Sequence, residues 1–182
     1  RERIKKDLIV HPTVDVIEAN IMDQSSLNRV TSGCDIVINL VGILNENKRV
    51  SFKKAHVELP KQIVAACQNN NISRLIHVSA LGVSENAPSK YLKSKWQGEK
   101  EVKNLEENNT EVTILRPSVV FGNEDSFTNL FLKVMTVFPV LPLVKPTSLI
   151  QPIFVEDLAE AVLTILGSCG QAGNTYELGG PK

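Results

Sequence analysis

Short apolar runs rich in β-branched residues alternate along this chain with longer stretches in which apolar positions recur every three to four residues, the pattern of buried strands separated by amphipathic helices. VDVIEANI, residues 14–21, predicts a strand, and MDQSSLNRV after it predicts a short helix capped by Asp23. CDIVINLVGIL, residues 34–44, has a continuous apolar centre between Gly33 and Gly42, which predicts a strand covered by helices on both faces. Within residues 50–70, Val57, Ile63, Val64 and Cys67 fall on one helical stripe, with Pro60 a local kink. RLIHVSAL is the next strand. SKYLKSKWQGEKEVKNLEENN predicts a helix capped by Ser89, with Glu99 and Lys103 as a supporting pair. EVTILRPSVVFG, residues 111–122, is a further apolar strand and SFTNLFLKVMTVF a helix. QPIFVEDLAEAVLTIL, residues 151–166, opens another helix with Glu156 and Asp157 against its N-terminal dipole, and TYELGG closes the series as a short strand. Strands and helices in this alternation make parallel crossover units. The expected fold is therefore α/β, a doubly wound parallel sheet forming one domain over residues 1–182.

Composition narrows the function classes. A chain of 182 residues, 42% hydrophobic, with 20 basic and 20 acidic residues, has the profile of one soluble globular domain with a sizeable core. Zero net charge argues against nucleic acid as a partner, because non-specific binding draws on clustered Lys and Arg, and the opening RERIKK is too short and mixed to supply them. Cys34, Cys67 and Cys169 are far apart and form no Cys/His cluster, which argues against a disulfide framework and a zinc site and fits a reducing compartment. No segment predicts a membrane span. The longest apolar run, VMTVFPVLPLV at 134–144, is broken by two prolines and predicts a loop or short helix over a pocket, or a patch of core or subunit contact, within a small cap region at 123–152.

Tyr91 and Lys95 stand four apart on the Ser89-capped helix and so share one face, where a phenol and an ammonium can converge. The same spacing occurs on solvated helices, so position has to decide. In a doubly wound sheet, ligands gather beyond the carboxyl ends of the strands, here marked by Asn20, residues 39–42, Ser79 and residues 117–120. The helix bearing Tyr91 and Lys95 follows Ser79 directly. Arg116 predicts a buried ion pair or backbone contacts, and His77 a hydrogen-bonded core residue. His56 suits either a proton relay near neutral pH or a hydrogen-bonded, half-buried position.

The ordered set INLVG, LIHVSALG, YLKSK, ILRPSVVFG, QPIFVEDLAEAV and TYELGG resembles the short-chain dehydrogenase/reductase superfamily, in its atypical and extended branch, from Val14 to Pro181. INLVGIL, HVELP, SKYLKSK and PSVVFGNED carry a narrower resemblance to bacterial relatives of the NAD(P)H-binding accessory subunit of respiratory complex I. The resemblance implies a Rossmann-like fold with NAD or NADP as cofactor. It implies Tyr91 as acid/base, Lys95 as its partner and Ser79 as the group that orients a substrate carbonyl; an adjacent ammonium would lower the phenol's pKa toward the working range. Asn20 and Ile21 would lie at the adenine end, where many relatives have aspartate in place of Asn20. Main-chain groups of Leu40, Val41 and Gly42 would border the cofactor, and Pro117, Ser118 and Val119 would line its nicotinamide end. Val119 stands where enzymes acting on nucleotide sugars often have asparagine, which counts against that substrate class.

Two functions follow from the resemblance. One is an oxidoreductase or epimerase acting on a small carbonyl or alcohol, in the cytoplasm. The other is a non-catalytic cofactor-holding subunit partnered by respiratory-complex subunits on the matrix side of the mitochondrial inner membrane. No glycine-rich pyrophosphate turn occurs before Val14, so the sheet is expected to lack its first β-α-β unit, and the domain to be incomplete at its N-terminus and also at its C-terminus. The strand at 34–44 would then show an unpaired edge and an uncovered apolar face.

Overall fold

The computed structural model describes residues 11–105, 110–122, 151–167 and 173–181. Four parallel strands form the main sheet: β1 (Ile36–Asn39), β2 (Arg74–Val78), β3 (Glu111–Pro117) and β6 (Thr175–Leu178), in the order β1-β2-β3-β6. Two short strands, β4 (Val120–Phe121) and β5 (Ile153–Phe154), pair separately beyond the end of β3. The helices are α1 (Gln24–Thr31), α2 (Leu59–Asn69), α3 (Lys90–Lys103) and α4 (Val155–Gly167).

Alternation along the strands divides the core. Leu75, Val112 and Ile114 pack against Leu27 of α1, Leu59, Ile63, Val64 and Cys67 of α2 and Val102 of α3. Ile76 and Leu115, one residue out of phase, pack with Leu178 against Leu158, Val162 and Ile165 of α4. Helices thus cover both faces, and the sheet is doubly wound. The predicted caps form: Asp23 Oδ2 accepts from Ser26 N at 2.9 Å and Ser89 Oγ from Leu92 N at 3.1 Å. Among the described residues no helix is long and apolar enough to cross a membrane. The helix expected at SFTNLFLKVMTVF and nearly all of the cap region at 123–152 lie outside the described residues.

Four expectations need correction. Residues 14–21 form no strand, and Val14, Val16 and Ile17 are exposed. A strand is held by its ladder, and no neighbour pairs with this segment among the described residues. The strand expected at 34–44 contracts to four residues covered on one face: Val37 packs toward the helices, while Ile36 and Ile38, in register with Arg74 and Ile76, are 37% and 40% exposed. Pro60 acts through the turn before it. Having no N–H, it cannot bond the His56 carbonyl, and the chain takes one π-helical turn over Lys54–Glu58, with Leu59 N–H reaching back to Lys54 O. The freed His56 carbonyl abuts Gly98, where a Cβ would overlap it, so only glycine lets α3 lie this close. Finally, Glu99 pairs with Arg116 rather than Lys103: Arg116 Nε and one terminal nitrogen meet its two oxygens at 2.9 and 2.7 Å. A carboxylate only 2% exposed requires a directed, bidentate partner, which Arg116 on β3 supplies.

Candidate functional site

The carboxyl ends of β1, β2 and β3 are neighbours in the sheet, which brings residues 39–42, Ser79 and residues 117–119 along one rim. Ser79 N–H donates to Leu115 O (2.7 Å), Leu81 N–H to Pro117 O (2.9 Å), and Ser118 N–H to Leu178 O (2.8 Å). Val119 O accepts from Ile153 N at 3.0 Å, tying this rim to β5. Leu40 and Val41 are 68% and 37% exposed, and Val41 N–H donates to Asn39 Oδ1 at 3.1 Å. Asn20 and Ile21 lie in the turn before α1; Asn20 is exposed and its Oδ1 already accepts from Met22 N at 3.1 Å.

Lys95 is buried behind this rim. Its Nζ donates to Val78 O at 2.7 Å, beside Ser79. Desolvation lowers its pKa to about 8, against the pull of the Glu99 carboxylate one turn along. Tyr91 is half-buried, with its ring edge-on to His56 and Phe52 at centroid distances of 5.4 and 5.9 Å. Burial raises its pKa. Burial, rather than the expected pull of the ammonium, sets the direction of the Tyr91 shift, while Lys95 Nζ is bonded to the Val78 carbonyl.

A buried polar layer that sequence reasoning largely missed supports these groups. His56 Nε2 accepts from Ile43 N at 3.1 Å, and its Nδ1 bonds Ser94 Oγ at 2.8 Å. Burial and the Lys95 charge lower His56 to about 4, so it is neutral near pH 7. His77 Nδ1 accepts from Asn39 Nδ2 at 3.0 Å, while its Nε2 is buried without a partner, so this histidine is only half satisfied. Burial and Lys95 lower His77 to about 3. The available signal was polar residues at otherwise apolar positions: Asn39 ending β1 and Ser94 beside Lys95.

Two observations test whether these residues fit a dinucleotide. A Cβ on Gly42 would sit 3.8 Å from His56 Nε2 and 3.9 Å from Lys95 Nζ, so glycine leaves a methyl-sized concavity directly over the ammonium. Ser79 Oγ is buried and unpartnered beside it in sequence from Val78, the residue that binds Lys95. Main chain, a cation and a free hydroxyl suit the ribose and amide of a nicotinamide nucleotide.

Comparison with known proteins bears this out at the level of family. A family model described as NAD(P)H-binding matches residues 1–135. The chain is 36% identical over 166 residues to NADH dehydrogenase (ubiquinone) 1 alpha subcomplex subunit 9, mitochondrial, of Dictyostelium discoideum, covering 91% of this chain and 45% of that protein. It is 27% identical over 155 residues to the ceramide reductase of Caulobacter vibrioides, covering 82% of this chain and 48% of that one. The chain thus spans less than half the length of these relatives. The UDP-glucuronic acid 4-epimerase of Bacillus cereus in complex with NAD shares its fold with a TM-score of 0.82 at 19% identity, over 97% of this chain and 64% of that one. Nicotinamide dinucleotide is the cofactor class, and the chain belongs to the NAD(P)H-binding family, on the fold of the extended short-chain dehydrogenase/reductases.

Proposed function

We propose that this chain grips NAD(P)H as a retained element, in a protein that serves respiratory complex I as an accessory or assembly subunit. The observation that carries this reading is the state of the tyrosine and lysine: Lys95 is sealed under the rim and bonded to Val78 O, and burial holds the Tyr91 phenol above its ordinary pKa. Such a pair is organised for binding rather than for proton transfer near neutral pH. In this role Lys95 directs its charge to the ribose, and the Gly42 concavity admits close approach of the dinucleotide to main chain at Leu40 and Val41. Pro117, Ser118 and Val119 line the nicotinamide end, with Asn20 and Ile21 toward the adenine. The likeness to mitochondrial complex I subunits supports the choice of partner.

A second reading is favoured by Ser79, whose buried hydroxyl has no partner. Here the protein is an oxidoreductase or epimerase on a small carbonyl or alcohol, with Ser79 orienting the carbonyl and Tyr91 moving the proton; the cofactor supplies the hydride. Likeness to a ceramide reductase fits this reading. The full-length protein separates the two. If the cofactor is retained, it co-purifies with complex I subunits, nicotinamide fluorescence persists through a panel of carbonyls and alcohols, and Tyr91→Phe changes nothing in that assay. Turnover abolished by Tyr91→Phe establishes the enzyme instead.

A further inference from the structure

One imidazole joins the two segments that frame the cofactor rim. Ile43 N–H donates to His56 Nε2, so that nitrogen must carry a lone pair and the ring proton must sit on Nδ1. Nδ1–H then donates to Ser94 Oγ, and the Ser94 hydroxyl donates its own hydrogen to the Tyr91 carbonyl at 2.7 Å. Each donor along this chain has one acceptor, and the direction is fixed from end to end. It runs from the residue after Gly42 to the main chain of Tyr91. The ring is only 2% exposed, stacked on Phe52 at 5.4 Å and edge-on to Tyr91 at the same distance. The π-helical turn carries the ring, and the contact of its carbonyl with Gly98 presses that turn against α3.

We propose that His56 is a positioning residue, a neutral clasp that fixes the Gly42–Ile43 segment against helix α3 and thereby sets the width of the dinucleotide cleft above Lys95. The inference rests on the cofactor-holding reading. It makes a distinction that packing alone does not. Phenylalanine at position 56 keeps the aromatic volume between Phe52 and Tyr91 but has no acceptor for Ile43. Glutamine loses the ring, yet its neutral amide can accept from Ile43 and donate to Ser94.

The test measures NADH and NADPH binding to the full-length protein by nicotinamide fluorescence, together with hydrogen exchange of the Ile43 amide. His56→Phe is expected to weaken binding on the order of tenfold and to speed Ile43 exchange by at least a similar factor, as for one buried donor left unpaired. His56→Gln is expected to restore most of both. Wild-type affinity and protection in His56→Phe, or a His56→Gln protein no better than His56→Phe, overturns the clasp. Should His56→Phe fail to fold, nitrogen-15 shifts of the wild-type imidazole decide: an unprotonated Nε2 is expected, and a proton there overturns the proposal. Failure of the wild-type protein to bind either dinucleotide strikes the cofactor-holding reading instead, and Ile43 exchange still tests the bond.

Discussion

Lys95 is where the demands of fold and site conflict. An ammonium 4% exposed loses most of its hydration, and its replacements are one carbonyl, a carboxylate already paired with Arg116, and two imidazoles kept neutral by burial and by its own charge. Its pKa falls from 10.5 to about 8. Between these values the unfolded chain keeps a proton that the native state has released. The contribution of Lys95 to stability therefore rises with pH across this window and is least favourable below pH 8. Unfolding by urea at pH 7.5 and 9.5 should show a rise larger by about 2 kcal/mol in the wild type than in Lys95→Met, the difference removing groups common to both. Equal rises in the two proteins would mean that Lys95 does not titrate there. The Tyr91–Lys95 spacing was legible because a helix fixes which residues share a face. The raised pKa of Tyr91 was not, since it comes from burial, which only the tertiary fold creates by bringing Phe52 and His56 beside the ring.

Elements were legible where local chemistry decides them. Helices α1 and α3 begin at Asp23 and Ser89 as their side chains require, and strands β2, β3 and β6 follow their apolar runs. Residues 14–21 carry a strand's composition but form none, because a ladder needs a neighbour that sequence alone does not supply. Pro60 signalled a break, yet the π-helical form of that break is matched to Gly98 on another helix. The join between α3 and β3 is of the same kind. Glu99 faces Lys103 in sequence logic, but burial selects the fork of Arg116, which also reaches Glu177 on β6 at 3.4 Å. Arg116→Met should cost about 3–5 kcal/mol, because it takes from the buried Glu99 carboxylate both of its hydrogen bonds to the guanidinium, whereas adding Glu99→Leu should recover most of that loss. Urea unfolding of the single and double variants checks this. A single-variant cost below about 1 kcal/mol would show that water reaches Glu99 and that the pair does not hold the two elements together.

At the scale of the molecule, the described helices cover the two faces of the sheet unequally. Helices α1 to α3 cover β1, β2 and β3 on one side; on the other, α4 packs over β2, β3 and β6. Ile36 and Ile38 lie on the α4 side but beyond its reach, and among the described residues no strand pairs with the outer edge of β1. An apolar face beside an open edge of hydrogen-bonding groups favours pairing with another chain. The protein should therefore associate in a concentration-dependent way. Ile38→Lys should shift it toward monomer: the lysine would project from the exposed face of β1, where desolvating its charge opposes docking. Sedimentation velocity over a range of concentrations reads the outcome. Ile38 points to the opposite side of the sheet from Asn39 and the buried polar layer beneath the rim, so the substitution should leave the Ile43 amide as protected as in the unaltered chain. Loss of association with that protection intact would locate the contact on the uncovered face. Unchanged association would assign it elsewhere on the chain.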